Sequence, residues 1–450
     1  MARSAGILVV ALCACSGGSL TSFDADRTDP DARRDDGAGP PVDGGGPTVY
    51  VPDRVTMGLD LPAAVPVVRV SVGGQPIERD VEVTGSLTIT ENGATTHTGP
   101  IGFQGRGNFT WTLPKKGFAL ELQDGAGGEA PASILGLPRG ADFALYACYT
   151  DKTCLRYALV LAIGQELGRW SPRARFVELY IDDDYRGLYM LLERVRRDGD
   201  RVDLPRAATT SAGDLSGGYI LRHEGGGNGA GDFSTSSGVV YTFHVPEPEA
   251  ITPEQDAYVR ASIQGMEDGT VPIDEMSWVD RGIVEEVTNN WDGYVHSIYM
   301  TKAADADGGA WGMGPLWDFD LAFANGNVNG YSCRTDVWAY QIGRGAPDDV
   351  PAYWLDRYAT ETFRGTWGCR WQQLRVGALS LSTFEARIAA WTAFTADARA
   401  RDQVRWPTIG QAVFPNCTTE ASYEADVTYL HDWIAARLTW IDGQVTCPMP

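Results

Sequence analysis

The chain has 450 residues and sets 59 acidic side chains against 37 basic ones, a formal charge of −22, which excludes tight binding to a phosphate backbone unless a local basic patch compensates. No such patch is evident, because Arg194, Arg196 and Arg197 sit beside Asp198 and Asp200, so nucleic acid is not an expected partner. A hydrophobic fraction of 43% over this length supports sizeable cores in two lobes.

At the N-terminus Arg3 precedes an apolar run over 5–12, followed by Leu12-Cys13-Ala14-Cys15-Ser16. The run is far below the ~20 residues needed to span a bilayer, and small residues precede the cut. Residues 1–15 therefore read as a signal peptide. Leu-Cys-Ala-Cys resembles the lipobox of bacterial lipoproteins, which implies lipid on Cys15 and a membrane partner through it. Ser16 in the next position, rather than Asp, implies the outer membrane or cell surface. Ordinary cleavage near Ala14 with a free secreted product is the alternative. Residues 16–47 are dominated by Asp, Gly and Pro and predict a disordered linker with a reach of roughly 30 Å.

From residue 48 onward short runs alternate apolar and polar residues between glycine-rich turns, as in Gly117-Phe-Ala-Leu-Glu-Leu122, and predict strands. Asp151 can cap a helix carrying Leu155, Leu159, Ala162, Ile163 and Leu167, with Gly168 where it would stop. Residues 175–181 and 185–192, joined by three aspartates, read as a hairpin. A glycine-rich stretch over 224–238 follows the strand at 217–221, and helical patterns dominate from Thr252. The last of these, over 423–444, buries Val427, Leu430, Trp433, Ile434, Leu438 and Ile441. Beyond Cys13 and Cys15 there are six cysteines, an even number that suits an oxidising compartment. Fifteen pairings are open; chain order suggests Cys148 with Cys154, Cys333 with Cys369 and Cys417 with Cys447.

Three segments concentrate chemistry. Gly102-Phe-Gln-Gly-Arg-Gly-Asn108, with Lys115 and Lys116 close behind, could bring backbone N–H groups and a cation to phosphate oxygens. It is neither a Walker A motif nor a Rossmann fingerprint, and most such turns merely turn. Thr288-Asn-Asn-Trp-Asp-Gly-Tyr-Val-His-Ser297 and Gly314-Pro-Leu-Trp-Asp-Phe-Asp-Leu-Ala-Phe323 place carboxylates among aromatic residues, where an unpaired charge is costly. Hard oxygen ligands of this kind suit Mg²⁺. Taken separately, capping and surface hydrogen bonding would explain either one.

In order, GRGNFTW, LPKKGFALEL, ILGLPRGADFALYACYTDKTCLR, RFVELYIDDDYRGLYMLLERV, SGGYIL, VPEPEAITPEQ, NNWDGY and MGPLWDFDLAF resemble the CotH kinase family, named after a spore-coat protein that phosphorylates other coat proteins. The resemblance implies an α+β, divergent two-lobed protein-kinase-like fold, with a β-rich N-lobe over 48–200 and a mainly helical C-lobe over 201–450. It implies ATP and Mg²⁺ as cofactors, and as partner a protein substrate with a serine or threonine acceptor. It further implies Asp292 as the catalytic aspartate, Asp318 as a metal ligand with Asp320 sharing that duty, and Lys115 as the phosphate-contacting lysine, ahead of Lys116. Arg106 and Asn108 would belong to the loop over the phosphates, and Glu193 would be a nucleotide contact near the hinge. The resemblance assigns no individual roles to Asp151, Lys152 and Arg156. Five residues after the catalytic aspartate protein kinases hold a second metal with asparagine; here that position is Ser297, with Asn289 or Asn290 as substitutes. A catalytically inactive surface scaffold or adhesion lipoprotein is the alternative, and a metal-dependent phosphoesterase ranks below both.

Overall fold

The computed structural model describes residues 61–224, 231–345 and 349–448. The signal peptide of 1–15 with Cys15, the linker of 16–47 and residues 225–230 of the glycine-rich stretch lie outside the described residues.

Seven strands form a closed barrel: β1 (Val67–Ser71), β2 (Val83–Glu91), β3 (Ala94–Arg106), β4 (Gly117–Leu122), β5 (Asp142–Ala147), β6 (Ala174–Ile181) and β7 (Asp184–Glu193), in the order β1-β2-β3-β4-β5-β7-β6. The resemblance to kinases implies an N-lobe sheet; what forms instead is closed, because β1 pairs in parallel with β6 from Val67 opposite Glu178 to Val70 opposite Ile181. Closure satisfies the edge groups that an open sheet leaves unpaired. Inward positions are apolar on every strand and fill the lumen, among them Val68, Leu87, Ile101, Phe103, Leu120, Phe143, Val177 and Leu191. On the far side of the barrel wall Ala144, Phe176, Leu188, Met190 and Leu192 belong to the core of the helical half. Being buried on both faces, β7 reads as the unbroken run Leu-Tyr-Met-Leu-Leu rather than as an alternation.

The turn after β3 carries the short helix α1 (Phe109–Thr112), and α2 (Arg156–Glu166) follows β5. Every residue of α2 from Arg156 to Gln165 is buried, so the helix runs through the centre of the protein rather than lying along a surface. Asp151 does serve its first turn, its Oδ2 accepting from Arg156 N at 2.8 Å.

A second sheet comprises β8 (Tyr219–His223), β9 (Asp232–Ser234), β10 (Val240–Val245), β11 (Ile298–Lys302) and β12 (Trp311–Met313), in the antiparallel order β12-β11-β8-β10-β9. Between β10 and β11 come α3 (Pro253–Glu267), opened by a Thr252–Gln255 capping box, and α4 (Glu275–Thr288). The remainder is helical: α5 (Ala339–Ile342), α6 (Ala352–Ala359), α7 (Glu361–Arg375), α8 (Leu381–Phe394), α9 (Ala396–Arg405) and α10 (Tyr423–Asp442). On α10, Leu430, Trp433, Ile434, Leu438 and Ile441 are buried as the spacing predicts, whereas Val427, expected with them, is only half-buried at the edge of the same core. Among the described residues no helix is long and apolar enough to cross a membrane.

Among the described residues three disulfides are present, and two differ from the pairing suggested by chain order. Cys148 bonds Cys154, but Cys333 bonds Cys417 and Cys369 bonds Cys447. Tertiary packing brings cysteines distant in the chain together. The segment after α10 lies across the middle of α7, where Thr446 O would be 2.4 Å from a Cβ at Gly368. Trp433 Nε1 on α10 donates to Cys333 O at 2.9 Å, holding the other loop. A full set of disulfides points to an extracytoplasmic protein.

Candidate functional site

The site is built where α4 ends, where β12 runs into the turns of 314–325, and at Glu224 just beyond β8. Asn289 terminates α4 in the left-handed region with φ 42°, and its amide donates to Tyr331 O and Arg334 O at 3.1 and 3.0 Å. The chain then turns tightly, Val295 N and His296 N both donating to Asp292 O. Among the described residues six of the twelve non-glycine residues with positive φ fall in these two segments: Asn289, Tyr294, Ser297, Asp318, Phe323 and Ala324. Backbone in such regions persists only where its surroundings over-determine it, as they do at functional sites.

Four carboxyl groups converge electrostatically. Burial pushes Asp292 up to about 7; Arg344 opposes the rise, while Asp318, Glu224 and Glu285 add to it. Asp320 is held well above the usual carboxylate range by burial and by the charges of Asp318 and Asp292. Glu224 is raised by burial, against Arg222, with Asp318 and Asp232 contributing. Asp318 itself is exposed; Ser297 Oγ donates to its Oδ2 at 2.9 Å, and its own N–H donates to Tyr157 Oη on α2 at 3.0 Å.

Cations flank the group. Arg222 Nε is 2.5 Å from Glu224 Oε1, and Arg344 Nε is 3.5 Å from Asp292 Oδ1. The Arg344 guanidinium also lies 3.9 Å over the Trp291 ring and donates to His296 Nε2. Arg106, at the tip of the barrel, sits 5.2 Å over the ring of Trp317, the neighbour of Asp318.

The structure thus brings together Asp292, Asp318, Asp320, Ser297 and, through Trp317, Arg106. It places the other expected residues differently. Lys115 is enclosed, its Nζ 2.7 Å from Asp402 Oδ1 and donating to Leu188 O at 2.6 Å, 4.8 Å from the Tyr189 ring centroid. Burial lowers its pKa and Asp402 raises it. This lysine ties β4 and β7 to α9 and is not among the groups acting on Asp292 or Asp320. Lys116 Nζ donates to Trp111 O beside the ring of that residue. Glu193 is fully buried with Arg173, which donates to its Oε2 from N and Nε at 3.0 and 2.7 Å and to its Oε1 from Nη2 at 2.7 Å; Arg201 Nε stands 3.7 Å from Oε1. Such a carboxylate has its acceptors occupied and offers little to a nucleotide. Asn108 is exposed and accepts from Arg79 at 3.4 Å. Asn289 is committed to the backbone of 331–334, whereas Asn290 Oδ1 is buried without a hydrogen-bond partner.

The glycines of the GRGN turn have a local cause. A Cβ at Gly105 would stand 2.2 Å from the Trp111 ring, and Gly107 has φ 102°. Glu224, Arg222 and Arg344 were not singled out by sequence, and His296 stood in the Thr288–Ser297 segment without a role of its own. Only Glu224 carried a signal, as a lone acid ending a strand at the start of a glycine-rich stretch.

Would a divalent cation fit here? Asp292 Oδ1 is buried with no hydrogen-bond partner, facing Arg344 Nε at 3.5 Å, and Asp320 is pressed towards its neutral form by burial and then by like charges, a frustration that a cation would relieve. Among the described residues no group of three or more His, Cys, Asp or Glu side chains is placed to hold a metal ion by itself. Magnesium does not require one, since it commonly takes one or two carboxylates and completes its shell with water and phosphate oxygens. Surface recesses of about 410 Å³ beside Lys302 and Asp305, and of about 320 Å³ beside Lys152 and Asp402, include none of these carboxylates.

The shift at Asp292 has a thermodynamic consequence. With its pKa raised from 3.8 to about 7, the folded state keeps a proton that the unfolded chain has released. Stability from this group is therefore lost as pH climbs through that window, and the full penalty is felt above it. Asp292→Asn is expected to raise the melting temperature at pH 8 in magnesium-free buffer, with the gain vanishing near pH 4. A melting temperature at pH 8 equal to that of the parent contradicts a strained, buried Asp292.

A family model described as CotH kinase protein matches residues 103–441, from within β3 to the end of α10. Comparison with curated proteins gives no match.

Proposed function

The chain belongs to the CotH kinase family, and from that premise we propose that it transfers the terminal phosphoryl group of ATP, with Mg²⁺, to serine or threonine hydroxyls of exported or surface proteins. The observation that carries this reading is the meeting of Asp292, Asp318 and Asp320, in which burial and then the charge of Asp318 raise both Asp292 and Asp320, while Ser297 Oγ donates to Asp318 Oδ2 at 2.9 Å. Asp318 and Asp320 would hold magnesium, which supplies positive charge to the phosphate oxygens. Asp292, with Oδ1 in an ion pair to Arg344 but without a hydrogen bond and with a pKa near neutrality, is suited to orient the acceptor hydroxyl and take its proton. Ser297 holds Asp318 in place rather than supplying a second amide ligand, and Arg344 holds Asp292 from the opposite side.

The phosphate-facing cation in this reading is Arg106, together with the backbone about Asn108, because Lys115 is already committed to Asp402. Disulfides and the N-terminal pattern fit a protein lipidated at Cys15 that acts outside the cytoplasm at the outer membrane or surface. Its partners are then protein hydroxyls and a membrane, not nucleic acid.

A second reading, a kinase-shaped surface scaffold, is favoured by three departures: Ser297 stands where kinases hold asparagine, and Lys115 and Glu193 are both locked into buried ion pairs. Isothermal titration of the mature protein with ATP separates the two. Binding that requires Mg²⁺, followed by transfer of labelled phosphate to serine or threonine of an acceptor protein, supports the kinase. Absence of binding at millimolar nucleotide supports the scaffold.

A further inference from the structure

We propose that the disulfide-closed loop 148–154 is the positioning element for the Asp318–Asp320 segment, acting on its backbone through Arg156 and Asn325. The inference rests on the reading of Asp318 as a metal ligand.

Two chains of hydrogen bonds run from the loop to that segment. In the first, Asp151, fully buried at the centre of the loop, accepts from Thr153 Oγ1 at 2.6 Å and from Arg156 Nη1 at 2.7 Å. Arg156 Nε then donates to Phe323 O at 3.0 Å. Phe323 is also held from the other side, its N–H donating to Thr288 O at the end of α4 at 2.7 Å. In the second, Asn416 Nδ2 lies 2.7 Å from both Thr150 O and Asn325 Oδ1, and Asn325 Nδ2 donates to Asp320 O at 2.7 Å. The loop is itself pinned, by Lys152 Nζ on Gln411 O at 2.7 Å and by Tyr423 Oη on Thr153 O at 3.3 Å.

Both chains end on main-chain carbonyls of the 318–325 segment, so they fix the path of its backbone rather than the rotamer of a neighbour. That backbone needs fixing: Asp318, Phe323 and Ala324 have φ of 68°, 50° and 60°, conformations that cost L-residues energy unless surroundings impose them. Each chain is also backed by a covalent closure. Cys148–Cys154 brackets Thr150 and Asp151, and Asn416 adjoins Cys417 of the bond to Cys333. Asp151 and Arg156 form a buried ion pair at 2.7 Å, which holds the first chain together at its root.

The test is a titration of the full-length mature chain with Mn²⁺ alone, read by electron paramagnetic resonance, beside hydrogen exchange of residues 318–325. Asn325→Ala and Cys148→Ser/Cys154→Ser are compared with the parent and with Asp318→Ala. Supporting groups of this kind are worth about 10- to 100-fold in metal affinity, and a loss of that size is expected in both variants, with protection falling at 318–325 while α10 keeps its own. Parent-like Mn²⁺ affinity in the folded variants overturns the proposal, as does exchange rising equally over α2 and α10. Should Asp318→Ala bind Mn²⁺ as the parent does, the assignment of Asp318 has failed instead. Loss of binding in Asp318→Ala but in neither other variant overturns only the strut.

Discussion

Asp318→Ala is expected to abolish Mg²⁺-dependent ATP binding, and Asp292→Asn to leave binding in place while lowering phosphoryl transfer by about 10²- to 10⁴-fold. The two effects differ because the two side chains sit differently. Asp318 is exposed at the mouth of the group, with Ser297 on one oxygen, where an incoming cation can reach it. Asp292 is half-buried, and with a pKa of about 7 it can accept a proton under ordinary conditions; an amide of the same shape cannot. Asp320 is close enough to raise a complication. If Asp318→Ala retains weak binding, Asp318→Ala/Asp320→Ala should remove it. Ser297→Asn offers the reverse test, because an amide there reaches farther than a hydroxyl and supplies a carbonyl ligand. It should raise turnover in a protein that binds ATP but transfers slowly. Transfer by Asp292→Asn at the parental rate would show that another group takes the proton.

Lys115→Met is expected to destabilise the protein by about 3–5 kcal/mol, since it leaves Asp402 in a buried position without its cation. The Asp402 carboxylate would keep only the Leu188 N–H at 2.8 Å, where it now has that bond and the ammonium group. Lys115→Met/Asp402→Leu removes both charges and should recover most of the loss, because apolar replacements of a buried pair are often neutral. Urea unfolding of the three variants measures the stabilities, and ATP titration well below the transition separates structure from ligand binding. Unaltered ATP affinity in the double variant places Lys115 in the frame of the protein. A stable double variant that has lost ATP affinity would return it to the phosphates.

Local patterns made much of the fold readable. Strand β4, the β6–β7 hairpin, the onset of helix after Thr252 and most of the buried side of α10 all follow from alternation, turn residues and helical spacing within a few positions of one another. Barrel closure was not readable, because β1 meets β6 in parallel across more than a hundred residues with no turn signal to announce it. The site divides in the same way. Asp292, Asp318 and Asp320 stand in compact acidic-aromatic motifs and do come together. Lys115 could not be separated from a phosphate ligand by sequence, since the partner that claims it lies 287 residues away. Glu193 is similar: a carboxylate ending a strand looks free until Arg173, just before the neighbouring strand β6, folds onto it. Arg344 belongs to no motif, and only the tertiary fold brings it beside Asp292.

The bonds Cys333–Cys417 and Cys369–Cys447 interleave, each joining a cysteine inside the loop closed by the other to one outside it. A chain that emerges N-terminus first exposes Cys333 and Cys369 together before either native partner exists. The earliest bond open to them is therefore one the finished protein does not contain, and undoing it takes thiolate attack through a mixed disulfide. Production in an oxidising compartment should depend on a disulfide isomerase, or on oxidation being delayed until α10 has docked. Yield, rather than activity, is where that dependence will be felt.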